Sequence, residues 1–79
     1  MRLDKYLKVS RIIKRRTIAS EACIAGKVLV NGKVAKPSVT VKPGDIIEIT
    51  FGASTTKVQV TSLKESVKKE EASLMYKSL

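Results

Sequence analysis

The sequence contains no histidine and no tryptophan, a single cysteine, and only three aromatic residues in 79. Without histidine there can be no His-based catalytic triad and no His-ligated metal centre. One cysteine, Cys23, allows neither an internal disulfide nor a cysteine-rich zinc site, which fits a reducing compartment. No apolar run approaches the roughly 18 residues that span a bilayer. The opening Met1-Arg2-Leu3-Asp4-Lys5-Tyr6-Leu7-Lys8 lacks the apolar core of a secretory signal, so a cytoplasmic location is expected. The four glycines are isolated from one another, so no glycine-rich phosphate-cradling loop is present.

Positive charge is what the chain has in excess. Lys and Arg number 16 against 7 Asp and Glu, a formal charge of +9. The excess is uneven. Residues 1–16 carry Arg2, Lys5, Lys8, Arg11, Lys14, Arg15 and Arg16 against Asp4 alone, and they include all the arginines. The planar guanidinium fork matches phosphate better than the point charge of lysine, so this clustering points to a polyanionic partner. A chain of this length buries roughly 60% of its unfolded surface, enough for one modest core. With 43% apolar and 29% charged residues, a single folded domain is expected.

On a helical wheel, Leu3, Tyr6 and Leu7 share one arc of residues 2–9 and Arg2, Lys5 and Lys8 the other, with Asp4 spaced to pair with Lys8. Val9 falls off the apolar arc and marks the expected end of this first helix. Residues 17–25 form a second amphipathic segment, with Ile18, Ala19, Ala22, Cys23 and Ala25 on one face, Thr17 as N-cap and Gly26 in the left-handed position after the helix. The small inner residues imply close approach to the first helix. Arg15 and Arg16 stand at the positive end of the second helix's dipole, a local cost of about 0.3–1 kcal/mol that a bound anion would reverse.

From Val28 the hydrophobic period changes to two. Asn31-Gly32 predicts a tight hairpin with Lys33-Val34 as the return strand. Pro43-Gly44 fits the centre of a type II turn, with Asp45 explained by that turn. Residues 46–51 and 57–61 read as strands with a loop over 52–56. The tail, 65–79, reads either as a short helix packed on the domain (residues 1–64) or as a frayed segment ordered on a partner. The order predicts a small α+β domain, two helices covering a mainly antiparallel sheet.

These landmarks occur together: Arg2-Leu3-Asp4-Lys5-Tyr6-Leu7, then Arg16-Thr17 with Ala19, then Ala25-Gly26-Lys27-Val28-Leu29-Val30-Asn31-Gly32-Lys33, then Val41-Lys42-Pro43-Gly44-Asp45-Ile46-Ile47. The series resembles the S4 RNA-binding domain, the αL motif, over roughly residues 1–50. The opening through Arg11, the run Lys14-Arg15-Arg16-Thr17 and the tail Lys68-Lys69-Glu70-Glu71-Ala72 look most like the RqcP (YabO) family, with the fifteen-kilodalton heat-shock protein family a relative. The resemblance implies binding to a large ribosomal subunit obstructed by peptidyl-tRNA, and support of an RqcH-type factor that adds C-terminal alanines to the stalled chain. The alternative implied by the heat-shock relative is recycling of dissociated large subunits with bound tRNA, without a role in tailing. A third reading, from another class, is a basic protein on an acidic membrane surface; no exposed Trp or Phe anchor is expected, which counts against it.

Carried over by position, Arg2 and Arg16 match the arginines that open the motif's two helices and are the expected phosphate contacts. Lys5, Lys8, Arg11, Lys14 and Arg15 lie on or beside that surface, and Lys33 and Lys36 extend it at the hairpin. Asp4 matches an acidic position whose expected role is to cap the first helix or orient an arginine. Few aromatics leave little for base stacking, so recognition should rest on phosphate, 2′-OH and shape of rRNA or tRNA. The acidic residues form no recognisable acid–base or metal pair. A monomeric binding module without catalytic residues, cofactor or metal is expected.

Overall fold

The computed structural model describes residues 1–64 and 68–79. Two α-helices come first, α1 over Leu3–Val9 and α2 over Arg16–Ile24. Five strands follow: β1 Val28–Val30, β2 Lys33–Val34, β3 Ile46–Phe51, β4 Ser54–Val60 and β5 Tyr76–Ser78. They make one antiparallel sheet in the order β2-β1-β3-β4-β5. A 3-10 helix, Lys69–Met75, leads into β5. This is the α+β arrangement expected from the sequence, with two helices against a small antiparallel sheet.

The core lies between the helices and one sheet face. Leu3, Tyr6 and Leu7 of α1 are fully buried, as the wheel predicts, and they meet Ala19, Ala22 and Cys23 of α2 and Val28, Ile47, Ile49, Val58 and Val60 of the sheet. Alternation in β3 sends Ile47 and Ile49 inward and leaves Glu48 at the other face. The small side chains of α2 allow the close helix contact that their size implies.

Turn chemistry fixes the rest of the frame. Asn31 (φ +52) and Gly32 (φ +83) both take left-handed backbone, as a type I′ hairpin requires. Gly26 (φ +76) ends α2 in a Schellman motif: its N–H donates to Cys23 O and that of Lys27 to Ala22 O, each at 3.0 Å. At Pro43-Gly44, the Asp45 N–H donates to Lys42 O at 3.1 Å with Gly44 at φ +96. The Asp45 carboxylate then joins the two turns, accepting from Lys42 N at 3.0 Å and from Asn31 Nδ2 at 3.1 Å.

Several expectations are corrected. Arg15, not Thr17, is the N-cap of α2, because the helix begins one residue earlier than its apolar pattern. Ile18 and Ala25 lie on the exposed side, since the narrow inner stripe is completed by Ala19, Ala22 and Cys23. The expected loop over 52–56 shrinks to the two-residue turn Gly52-Ala53, with Gly52 at φ +58, so β4 starts at Ser54. The tail forms the short helix that was one of its two expected states, of 3-10 type, but β5 is absent from the sequence reading; it pairs Val60 with Tyr76 and Val58 with Ser78. Part of the expected tail helix, residues 65–67, lies outside the described residues.

Candidate nucleic-acid interface

The start of α1 is held by backbone. Leu3 N–H donates to Val39 O at 2.8 Å and Asp4 N–H to Pro37 O at 3.2 Å, while Arg2 bridges Thr40 as an isolated antiparallel pair. These bonds satisfy donors that a helix N-terminus otherwise leaves open. They also set Arg2 beside the loop that carries Lys36. Arg2 and Lys36 line one hollow of about 470 Å³ together with Cys23, Ile24 and Val34.

Asp4 is the organising residue. Its side chain is only 6% exposed, yet it faces two arginines that are half exposed, Arg2 at 54% and Arg16 at 48%. Arg2 donates from Nε to Oδ1 at 3.2 Å and from an Nη to Oδ2 at 3.4 Å. Arg16 Nε reaches Oδ2 at 3.5 Å, and Lys5 N–H donates to Oδ1 at 2.8 Å. One carboxylate thus ties the N-terminal ends of both helices and holds two guanidiniums with outer donors facing solvent. Burial acts to raise the Asp4 pKa, but the Lys5 N–H and the Arg16 and Arg2 guanidiniums outweigh it and hold the carboxyl below its ordinary value. The expected partner from helical spacing was Lys8; the structure gives Asp4 to Arg2 and Arg16 instead, because the second partner comes from α2.

The remaining sequence-predicted cations fall in two groups. Lys8, Arg11, Lys14, Arg15 and Arg16 are exposed along the end of α1, the connecting turn and the start of α2, while Lys5 is half buried. Lys33 lies on β2 at the sheet edge and Lys36 just beyond it, both exposed. Arg2 joins the second group through its hollow and the first through Asp4. Such a surface has the chemistry to neutralise phosphates by charge, and Asp4 fixes the positions of two of its guanidinium forks.

Buried groups near the site serve packing. The Tyr6 hydroxyl donates to Met75 O at 2.7 Å, and burial, with Tyr76 nearby, raises its pKa well above the ordinary value. Burial, helped by the Asp4 charge, pushes the Cys23 thiol up to about 11, so it is a packed thiol and not a thiolate. Among the described residues no group of three or more His, Cys, Asp or Glu side chains could hold a metal, and no helix is long and apolar enough to cross a membrane. Sequence reasoning had no means of finding the Asn31–Asp45 clamp that fixes the hairpin, because the two residues meet only in the fold.

Residues 1–47 match the family model of the S4 domain, so the fold and the basic face define an S4-domain protein of the RNA-binding class. Beyond that class, the chain belongs to the family of the RQC P-site tRNA stabilizing factors. It is 56% identical to the protein of that name from Halalkalibacterium halodurans, over 96% of this chain and 86% of the relative. It is 54% identical to the one from Bacillus subtilis, over 96% and 88%. Among solved structures, the trimeric heat shock protein 15 of Vibrio cholerae superposes with a TM-score of 0.92 at 31% identity, covering 100% of this chain and 81% of that one.

Proposed function

We propose that this chain is a non-enzymatic, cytoplasmic factor of ribosome-associated quality control. In this reading it binds as a monomer to rRNA of a large subunit obstructed by peptidyl-tRNA, steadies that tRNA in the P site, and so supports alanine tailing by an RqcH-type factor. Two lines support it: the shared name of the relatives, and the Asp4-held pair Arg2 and Arg16 within the basic face. The pair is the observation that carries the reading, because it positions charge-assisted donors for phosphate at a defined spacing, which a merely solvated basic surface does not need.

The contribution to tailing is binding energy. A factor shifts an equilibrium only by its differential affinity for two states. Each tenfold preference for the tRNA-occupied subunit stabilises that state by about 1.4 kcal/mol.

The likeness to heat shock protein 15 favours a second reading, binding and recycling of free large subunits with tRNA and no part in tailing. A stalled reporter in cells lacking the chromosomal gene separates them. Restoration of alanine-tailed product by the wild-type chain supports the first reading. Subunit binding without tails supports the second.

A further inference from the structure

Ile47, Ile49 and Phe51 alternate along the inner face of β3, but only the first two are buried. Phe51 is 46% exposed at the strand's end. It forms one wall of a cleft of about 250 Å³, with Ile12 and Tyr76 as further walls, Ile49 and Val58 at the floor and Arg11 at the rim. Thr56 and Ser78 also line it, and no acidic side chain does. Its lining is apolar at the buried Ile49 and Val58, hydroxyl-bearing at the exposed Thr56 and Ser78, and cationic at the exposed Arg11.

Arg11 is held there at a cost. It occupies the left-handed region (φ +62) directly after α1, with its N–H donating to Lys8 O at 3.0 Å. Glycine ordinarily takes this position, and a side chain there strains the backbone. Glycine would make the same turn without that cost but would place no guanidinium at the cleft. Arg11 also belongs to the basic run that opens the chain.

We propose that this cleft receives an unpaired nucleobase of a structured RNA. The base stacks on Phe51 beside Tyr76, its polar edge meets the Thr56 and Ser78 hydroxyls, and the Arg11 guanidinium takes the adjoining phosphate. The proposal rests on the RNA-binding reading above and refines it: one base is read by stacking on a chain that otherwise recognises phosphate and shape. The acid-free cationic rim matches an anionic strand; a protein loop is the competing occupant.

The test uses the full chain and two RNAs of equal phosphate count, a stem-loop with unpaired purines, one replaced by the fluorescent base 2-aminopurine, and a blunt duplex. The wild type should bind the stem-loop more tightly and change the 2-aminopurine fluorescence. Phe51→Ala should lose about 5- to 150-fold in stem-loop affinity, the range for one base–aromatic stack, with duplex binding unchanged. Phe51→Leu, which keeps apolar bulk in the cleft, should lose it too, and Phe51→Tyr should retain it. Equal binding of both RNAs by the wild type, or Phe51→Leu matching the wild type, overturns the base site while the RNA-binding reading stands. Failure of the wild type to bind either RNA overturns both.

Discussion

Replacing Asp4 by Asn sets charge against geometry. The substitution raises the formal charge of +9 by one, so an account based on net charge alone predicts tighter RNA binding. The structure predicts the opposite. Asn keeps an acceptor for the Lys5 N–H at 2.8 Å but loses the charge that holds Arg2 and Arg16. Each arginine must then be ordered during binding, at about 0.5–1.5 kcal/mol per side chain, which together weakens binding on the order of tenfold. Hydrogen bonds to charged groups contribute about 1.5–3 kcal/mol to stability. Because both guanidiniums are about half exposed, the folding cost is discounted to roughly 1 kcal/mol, a fall of about 4–8 °C in melting temperature. The folded carboxyl titrates below its ordinary value, so its stabilisation is present above about pH 4 and lost as pH falls through the lower folded value. The Asn variant should lack that acid-dependent component. Fluorescence anisotropy on a folded RNA at fixed ionic strength reads the sign directly. Unchanged or tighter binding by Asp4→Asn would refute the positioning role of this carboxylate.

Arg11→Gly should raise stability by about 1 kcal/mol in a thermal melt while weakening RNA binding, because it relieves left-handed backbone and removes a cation together. A lower melting temperature would contradict that reading of the turn. Tyr6→Phe removes the buried donor to Met75 O, which also receives Thr61 N and Ser62 N. It should cost about 1 kcal/mol and speed hydrogen exchange in residues 72–78; unchanged exchange there would count against the hydroxyl as their anchor. With about five phosphates neutralised, affinity should fall roughly 10²–10³-fold between 50 and 200 mM salt, and a flat response would contradict an electrostatic interface.

Features set by local chemistry were legible in the sequence. Asn31-Gly32, Pro43-Gly44 and Gly26 each announce a backbone geometry that few other residues adopt, and the structure has each in that geometry. Leu3, Tyr6 and Leu7 announced the buried arc of α1 by spacing alone. What escaped the sequence depends on contacts between distant segments. Asp4 has Lys8 at helical spacing, yet Arg16 from α2 approaches its carboxylate. Ile18 carries an apolar signal but is 41% exposed, because the smaller Ala19, Ala22 and Cys23 already fill the helix interface. Tyr76–Ser78 is too short for a period-two signal and becomes a strand because β4 offers an unpaired edge. Phe51 sits in an expected strand but corrects the expectation of no exposed Phe, because it stands at the end of that strand, beyond the buried Ile47 and Ile49.

In the proposed function, Arg2 and Arg16, aimed by Asp4, hold this chain on an obstructed large subunit. Co-sedimentation of the tagged chain with ribosomal fractions, wild type beside Arg2→Ala/Arg16→Ala, measures that hold, with a thermal melt confirming that both are folded. The wild type should travel with free large subunits carrying tRNA, and the folded double variant should stay at the top of the gradient. Co-sedimentation of the double variant at the wild-type level would contradict it.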